Sequence, residues 1–378
     1  MLALAEKPMA TDWTAKAAEI AAQIAEHAAA HDADDSFVVE GFAALEEAGF
    51  FTALVPSEFG GGGATVGEIC EALKIIGAAC GSTALAAAMH SHIVAVAAWR
   101  WKNQGAPTDG LLKRVVAEKL KLVSSGGSDW LTSAGTMEKV EGGYRLTARK
   151  AFASGSTVGN LLNTSAVYDD PADGPMVLHF AAPLKGEGVS IAPTWKVMGM
   201  RGTGSDDVVF DGLFIPDAAI AGKRPQGKWH MLFHVISMIA FALIYAPYVG
   251  VAEGARRRAL NLAGKRPADP LLAQMVGEME NRLLSARLAH RRMVEIAETG
   301  TPGPETTSEA MQCRTLAGQA AIDAVAKAME VGGGAAFYRK TGLERAFRDV
   351  QAARFHPLQE KPQLDLTGRV ALRWDIDG

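Results

Sequence analysis

The sequence predicts an α+β chain in which a β region is set between two helical ones, and three changes of texture carry that reading. From Trp13 to Lys121, Ala-rich segments repeat with helical periodicity. From Leu122 to about Ile215 the chain breaks into short β-like runs separated by Gly-Gly, Asp-Asp-Pro and Asp-Gly turns, which suit an antiparallel barrel or sandwich. From Lys228 onward strong helix formers return. The expected boundaries are 1–121, 122–225 and 226–378, with the two helical parts sharing one body.

Taken in order, each element has a local reason. Met1 to Thr14 mixes apolar residues with Glu6, Lys7 and Asp12 and lacks the continuous apolar run of a secretory signal, so the expected compartment is the cytoplasm. Pro56-Ser57-Glu58 marks a turn, followed by a glycine cluster from Gly60 to Gly63. Ile75 to Trp99 and Trp229 to Ala252 hold no Asp, Glu, Lys or Arg, and each is long enough to span a bilayer. The first carries His90 and His92 among small residues; the second carries His230, His234, Ser237 and Pro247. That polar content points to helices buried in a large bundle rather than to membrane spans. The β runs are Tyr144 to Thr147, Leu161 to Tyr168, Met176 to Ala181 and Val208 to Ile215. Leu271 to Thr299 and Glu305 to Val331 read as long amphipathic helices, broken at Pro302-Gly303-Pro304.

Composition excludes several classes of function. Lys plus Arg is 38 against 42 for Asp plus Glu, a net charge of -4 with no block of like charge, so nucleic acid is not an expected partner. Cys70, Cys80 and Cys313 have no metal-ligand or disulfide spacing, which fits free thiols and no metal site.

Three segments could carry chemistry. Ser124-Ser125-Gly126-Gly127-Ser128-Asp129 offers hydroxyls and backbone N–H groups to a heteroaromatic edge or an anion, or is a plain Ser/Gly turn before a strand. Gly199, Gly202 and Gly204 permit close approach to a ligand or form a tight interstrand loop; no framing strand and helix make them a dinucleotide fingerprint. Gly332 to Gly334 end a helix, at the least as a cap, and Arg345 with Asp349 suits an ion pair.

In their order along one chain these pieces resemble the acyl-CoA dehydrogenase superfamily over nearly the whole length. The matching elements are Gly41 to Gly61 with its Val-Pro-Ser-Glu-Phe-Gly-Gly, Gly127-Ser128-Asp129, Gly142-Gly143-Tyr144 through Lys150, and Met200-Arg201-Gly202-Thr203. The strand from Phe210 to Pro216, Gly332-Gly333-Gly334, and Leu343-Glu344-Arg345 before Arg348-Asp349 complete the set. The resemblance implies an N-terminal all-α domain, a middle antiparallel β-barrel and a C-terminal four-helix bundle. It also implies a homotetramer or homodimer with a flavin, FAD or FMN, at a subunit interface. Position by position, it implies that Ser124, Ser125 and Ser128 form a flavin-facing loop, two residues shorter than the family's. Phe152 would stack on the isoalloxazine and Ser154 hydrogen-bond it. Arg266, Gln274 and the Gly332, Gly333 and Gly334 segment would reach the cofactor's other end, the glycines from a neighbouring subunit. Pro267-Ala268 replace the Phe-Gly that follows the family's arginine, which leaves FAD versus FMN open.

A desaturating member needs a carboxylate to remove the α-proton of its acyl thioester. The family places it eight residues after the Asp of the Arg-Asp pair, where this chain has Pro357, or on the buried C-terminal helix, where it has Ala240. Both positions lack an acid. The histidines His356, His92 and His90 make the chain similar instead to flavin monooxygenases of this fold, in which reduced flavin from a separate reductase meets oxygen to form a C4a-hydroperoxide. The expected function is a two-component monooxygenase acting on a small aromatic, heterocyclic or amine substrate, with His356, His92 and Ser154 as catalytic residues. Two alternatives stand beside it: an acyl-CoA dehydrogenase whose displaced base is Glu360, and a scaffold that keeps only the fold. A histidine on an apolar helix can also be a satisfied core residue, His90 most of all.

Overall fold

The computed structural model describes residues 11–127 and 129–378. Six helices come first: α1 (Trp13–Ile24), α2 (Ala28–Asp34), α3 (Val39–Glu47), α4 (Val66–Ala79), α5 (Gly81–Gln104) and α6 (Asp109–Ala117). Eight strands follow: β1 (Leu122–Ser124), β2 (Thr136–Val140), β3 (Gly143–Lys150), β4 (Leu161–Asp170), β5 (Gly174–Pro183), β6 (Val189–Ala192), β7 (Asp207–Pro216) and β8 (Ile220–Pro225). The chain closes with α7 (Met231–Ala263), α8 (Pro270–Thr299), α9 (Pro304–Gly332), α10 (Leu343–Val350) and α11 (Glu360–Leu372).

Helix ends follow local chemistry. Thr65 and Glu68 form a reciprocal capping box at the start of α4, Asp269 caps α8 ahead of Pro270, and Pro304 opens α9. The uncharged run from Ile75 to Trp99 is split between α4 and α5, because Cys80 adopts extended backbone between them. α7 is the hub on which α4, α5, α8 and α9 pack. Glycine lets α4 approach it: a Cβ on Gly250 would lie 2.2 Å from the Lys74 carbonyl oxygen, and one on Gly254 2.5 Å from that of Ala78. The apolar stretches of α5 and α7 are each 94% buried, so both are core helices of this fold.

The strands form one sheet in the order β6-β7-β3-β2-β4-β5-β8, with β1 lying parallel on β4. The expected closed barrel is not formed: among the described residues the edge strands β6 and β8 do not pair with each other. β6 is only four residues long and β8 ends at Pro225, so neither edge offers the continuous ladder that closure requires. Buried apolar side chains form two clusters. The larger joins the N- and C-terminal helices, and the smaller lies within the sheet region from Val123 to Ile215. Strict alternation along β3 places Leu146, Ala148 and Lys150 on the buried face, so Lys150 must find a partner inside.

Candidate active site

Lys150 finds that partner in Asp129. Its Nζ lies 2.5 Å from Asp129 Oδ1 and also donates to the carbonyls of Ala134 and Ser165. Asp129 Oδ2 accepts from Thr164 Oγ1 at 2.6 Å and from Ser125 Oγ, whose oxygen also lies 2.8 Å from Thr164 Oγ1. Burial pulls the Lys150 ammonium below its ordinary range, opposed by the attraction of Asp129. The network pins the loop after β1. It also turns the Ser125 hydroxyl inward, while Ser124, Gly126 and Gly127 line a cavity of about 390 Å³. Ser128 lies outside the described residues.

One wall of this cavity is aromatic. Phe152 is 56% exposed, holds a left-handed φ of 59° and meets Trp195 edge-on at 5.9 Å. Gly127 stands over it without a side chain, and a Cβ there would lie 3.4 Å from Phe152 Cδ2. Ser154 Oγ begins a hydroxyl chain through Ser205 to Thr203, each link 2.7 Å. In the glycine run beyond Met198, Gly199 lines the cavity and is also tightly packed: a Cβ there would lie 2.2 Å from the Arg348 carbonyl oxygen. Beside it the Met200 N–H donates to Asp349 Oδ1 at 2.6 Å. Asp349 is therefore buried on a backbone donor, not in the surface ion pair its spacing to Arg345 suggests, and burial raises its carboxyl to about 6.

The same cavity is lined by imidazoles. His356 Nε2 lies 2.6 Å from Tyr248 Oη, and the His356 carbonyl accepts from Arg314 Nη2 at 2.5 Å. His92 Nδ1 lies 3.1 Å from the Ala88 carbonyl oxygen, one turn back on α5. Burial lowers both imidazoles, His92 to about 4 and His356 to about 3. His90 plays no part: its Nε2 lies 2.7 Å from the Phe51 carbonyl and its Nδ1 accepts from the Leu122 N–H at 3.0 Å. Leu85, Met89, Ile236, Phe241 and Ile244 make the remaining surface apolar. Tyr248 has no signal in the sequence, because its partner comes from 108 residues away.

Among the described residues lining this cavity none is Asp or Glu; Pro357 and Ala240, the positions that the resemblance assigns to a desaturase's base, both line it. Glu360 is exposed at the start of α11 and lines neither this cavity nor its neighbour. Arg348, the charged residue of the wall, is held by Asp32 at 2.6 Å and Glu344 at 2.8 Å.

The model of the acyl-CoA dehydrogenase N-terminal domain matches residues 12–104, and that of the C-terminal domain residues 242–360. The chain belongs to the acyl-CoA dehydrogenase family. Its relatives fall on both sides of the chemistry. The acyl-CoA dehydrogenase homologue YdbM of Bacillus subtilis is 26% identical, over 91% of this chain and 92% of its own. The oxygenase subunit HsaA, a flavin-dependent monooxygenase of Rhodococcus jostii, is 28% identical over 83% and 85%. Among solved structures, KijD3 in complex with FMN and a dTDP-linked amino-keto sugar is 25% identical. It superposes with a TM-score of 0.89 over 100% of this chain and 97% of that one.

The residues present fit the flavin that the acyl-CoA dehydrogenase family implies. A half-exposed phenyl ring faced by Gly127 offers a flat apolar shelf, and Ser124 and Ser154 line the same cavity. The other expected contacts lie elsewhere in the protomer. Arg266 donates to the Val331 carbonyl at 2.9 Å beside Gly333, and Gly333, Gly334 and Gln274 are exposed. Together with Gly332 they line neither cavity. Gln274 is not brought to Arg266 by any hydrogen bond among the described residues.

Proposed function

We propose that this chain is the oxygenase component of a two-component flavin-dependent monooxygenase acting on a small aromatic, heterocyclic or amine substrate. The observation that carries it is the lining shared with Phe152: two neutral imidazoles and a phenol, and no carboxylate among the described residues, where an acyl-thioester desaturase needs one. In this reading Ser124, Phe152 and Ser154 hold the isoalloxazine, and reduced flavin, delivered by a separate reductase, supplies the two electrons that activate oxygen.

The proton positions follow from hydrogen-bond chemistry. A backbone carbonyl can only accept, so His92 carries its proton on Nδ1 toward Ala88, and Nε2 is an acceptor with no partner among the described residues. Tyr248 is fully buried with His356 as the hydrogen-bond partner of its hydroxyl, so the phenol donates to Nε2 and the His356 proton sits on Nδ1. The cavity therefore has one imidazole nitrogen that can accept a proton from substrate and one imidazole N–H that can hydrogen-bond to oxygen. The apolar side chains around them exclude water from the reacting atoms.

Arg266 and Gly332 to Gly334 would serve the flavin of a neighbouring subunit in a homotetramer or homodimer, a cytoplasmic enzyme in this reading. The test is to load the chain with FMN or FAD, then mix it anaerobically with acyl-CoA. Unchanged visible absorbance, together with oxygen-dependent hydroxylation of a phenol or amine when a reductase is added, supports the oxygenase. Bleaching by acyl-CoA means a dehydrogenase, and failure to take up flavin means a scaffold.

A further inference from the structure

Beside the inner cavity lies a second of about 510 Å³, and the two share His92, Ser124, Gly126, Trp130 and Ile236 as wall residues. These shared residues set the two cavities side by side. The charged lining of this outer cavity is one-sided. Asp129 is its carboxylate among the described lining residues, and both oxygens are engaged, by Lys150 on one side and Ser125 and Thr164 on the other. Arg114 is paired to Glu118 through two hydrogen bonds of 2.7 and 3.0 Å.

Arg100 is different. It stands half-buried at the end of α5, and its one hydrogen bond among the described residues is from Nε to the Gln104 amide oxygen at 3.3 Å; no carboxylate pairs with it. His179 lines the same cavity, and its Nε2 lies 3.0 Å from Arg224 Nε. A guanidinium can only donate, so that nitrogen is an acceptor and the His179 proton sits on Nδ1, which has no protein partner among the described residues. Arg224 itself is 1% exposed and donates to the carbonyls of Trp130 at 2.9 Å and Leu131 at 2.6 Å, again with no carboxylate pairing with it among the described residues. Burial and the nearby charges of Arg224 and Arg100 keep His179 neutral, at about 3. The outer cavity thus offers donors and positive potential with no acid left free among its described lining residues to balance them.

We propose that this outer cavity is an anion subsite, in which Arg100 and the His179 Nδ1–H bind a carboxylate, sulfonate or phosphate group carried on the substrate. The inference rests on the oxygenase reading only for which end of the substrate reacts; anion binding itself needs neither flavin nor oxygen. It narrows the substrate class to molecules that are apolar at the end held by His92 and His356 and anionic at the other.

The test uses the full chain free of flavin and a matched pair of probes, 2-naphthol and its 6-sulfonate, titrated by calorimetry. The sulfonate is expected to bind at least about tenfold more tightly, as a charge-assisted hydrogen bond to a guanidinium gives. Arg100→Met should abolish that preference while leaving 2-naphthol affinity unchanged, and Arg100→Lys should keep part of it. Added salt should weaken the sulfonate alone. Equal affinity for the two probes, no binding of either, or a sulfonate preference that survives Arg100→Met would each overturn the proposal. None of these outcomes depends on turnover, so a failed oxygenase assay leaves the result standing.

Discussion

Tyr248 Oη and His356 Nε2 stand 2.6 Å apart, joining the middle of α7 to the segment after α10. Burial pushes the Tyr248 phenol well above its ordinary value, so it remains a hydrogen donor at any pH the fold tolerates. The bond sets the orientation and the tautomer of an imidazole whose other nitrogen is left for the cavity.

Tyr248→Phe removes that donor and frees the His356 ring to tautomerise. Turnover should drop by about tenfold or more, with flavin affinity nearly unchanged, as read by single-turnover oxidation and flavin titration. His356→Ala should abolish hydroxylation under the same conditions. Unaltered turnover in both variants would remove this pair from the mechanism.

Acid should destabilise the fold through its buried imidazoles. His92 and His356 are neutral when folded, at about 4 and about 3 against an ordinary 6.5, whereas the unfolded chain protonates them from 6.5 downward. The unfolded state binds more protons in that window, so stability is complete above 6.5 and declines as pH falls toward the folded values. Thermal melts from neutral pH to about 4 should show this slope, and His92→Gln should make it shallower.

Asp129→Asn should cost about 3–5 kcal/mol of stability in urea unfolding, because it strands a buried ammonium. Lys150 is 0% exposed and Asp129 7%, so no water replaces the lost charge. A double variant, Asp129→Asn with Lys150→Met, should recover much of the loss.

Phe152→Ala should weaken flavin binding by about tenfold, the worth of an aromatic contact, with little effect on melting of the flavin-free chain. The side chain is 56% exposed and contributes little to the core. A flavin affinity equal to that of the parent would move the ring-binding shelf elsewhere.

The long helices were legible because their signals are local. Periodicity and the Pro302-Gly303-Pro304 break place α8 and α9 at Pro270–Thr299 and Pro304–Gly332, each within a residue of the expected start and end. The sheet was only partly legible. Four runs became β3, β4, β5 and β7, but β1, β2, β6 and β8 are short or edge elements whose pairing depends on distant neighbours, and whether the sheet closes depends on its edges. The inward turn of Ser125 was hidden for the same reason: Asp129 is near in sequence, but Thr164 and Lys150 come from other strands.

By itself the sequence determined the order of helices and strands, the vacancy of both acid positions at Ala240 and Pro357, and the presence of His90 and His92 on one helix. Two residues apart on a helix, those histidines turn to roughly opposite faces, so both could not serve one cavity. Which of them does was decided by the tertiary structure. A buried imidazole needs partners for two nitrogens; Phe51 and Leu122 supply both for His90, whereas α5 supplies one for His92 and leaves the other open to the cavity.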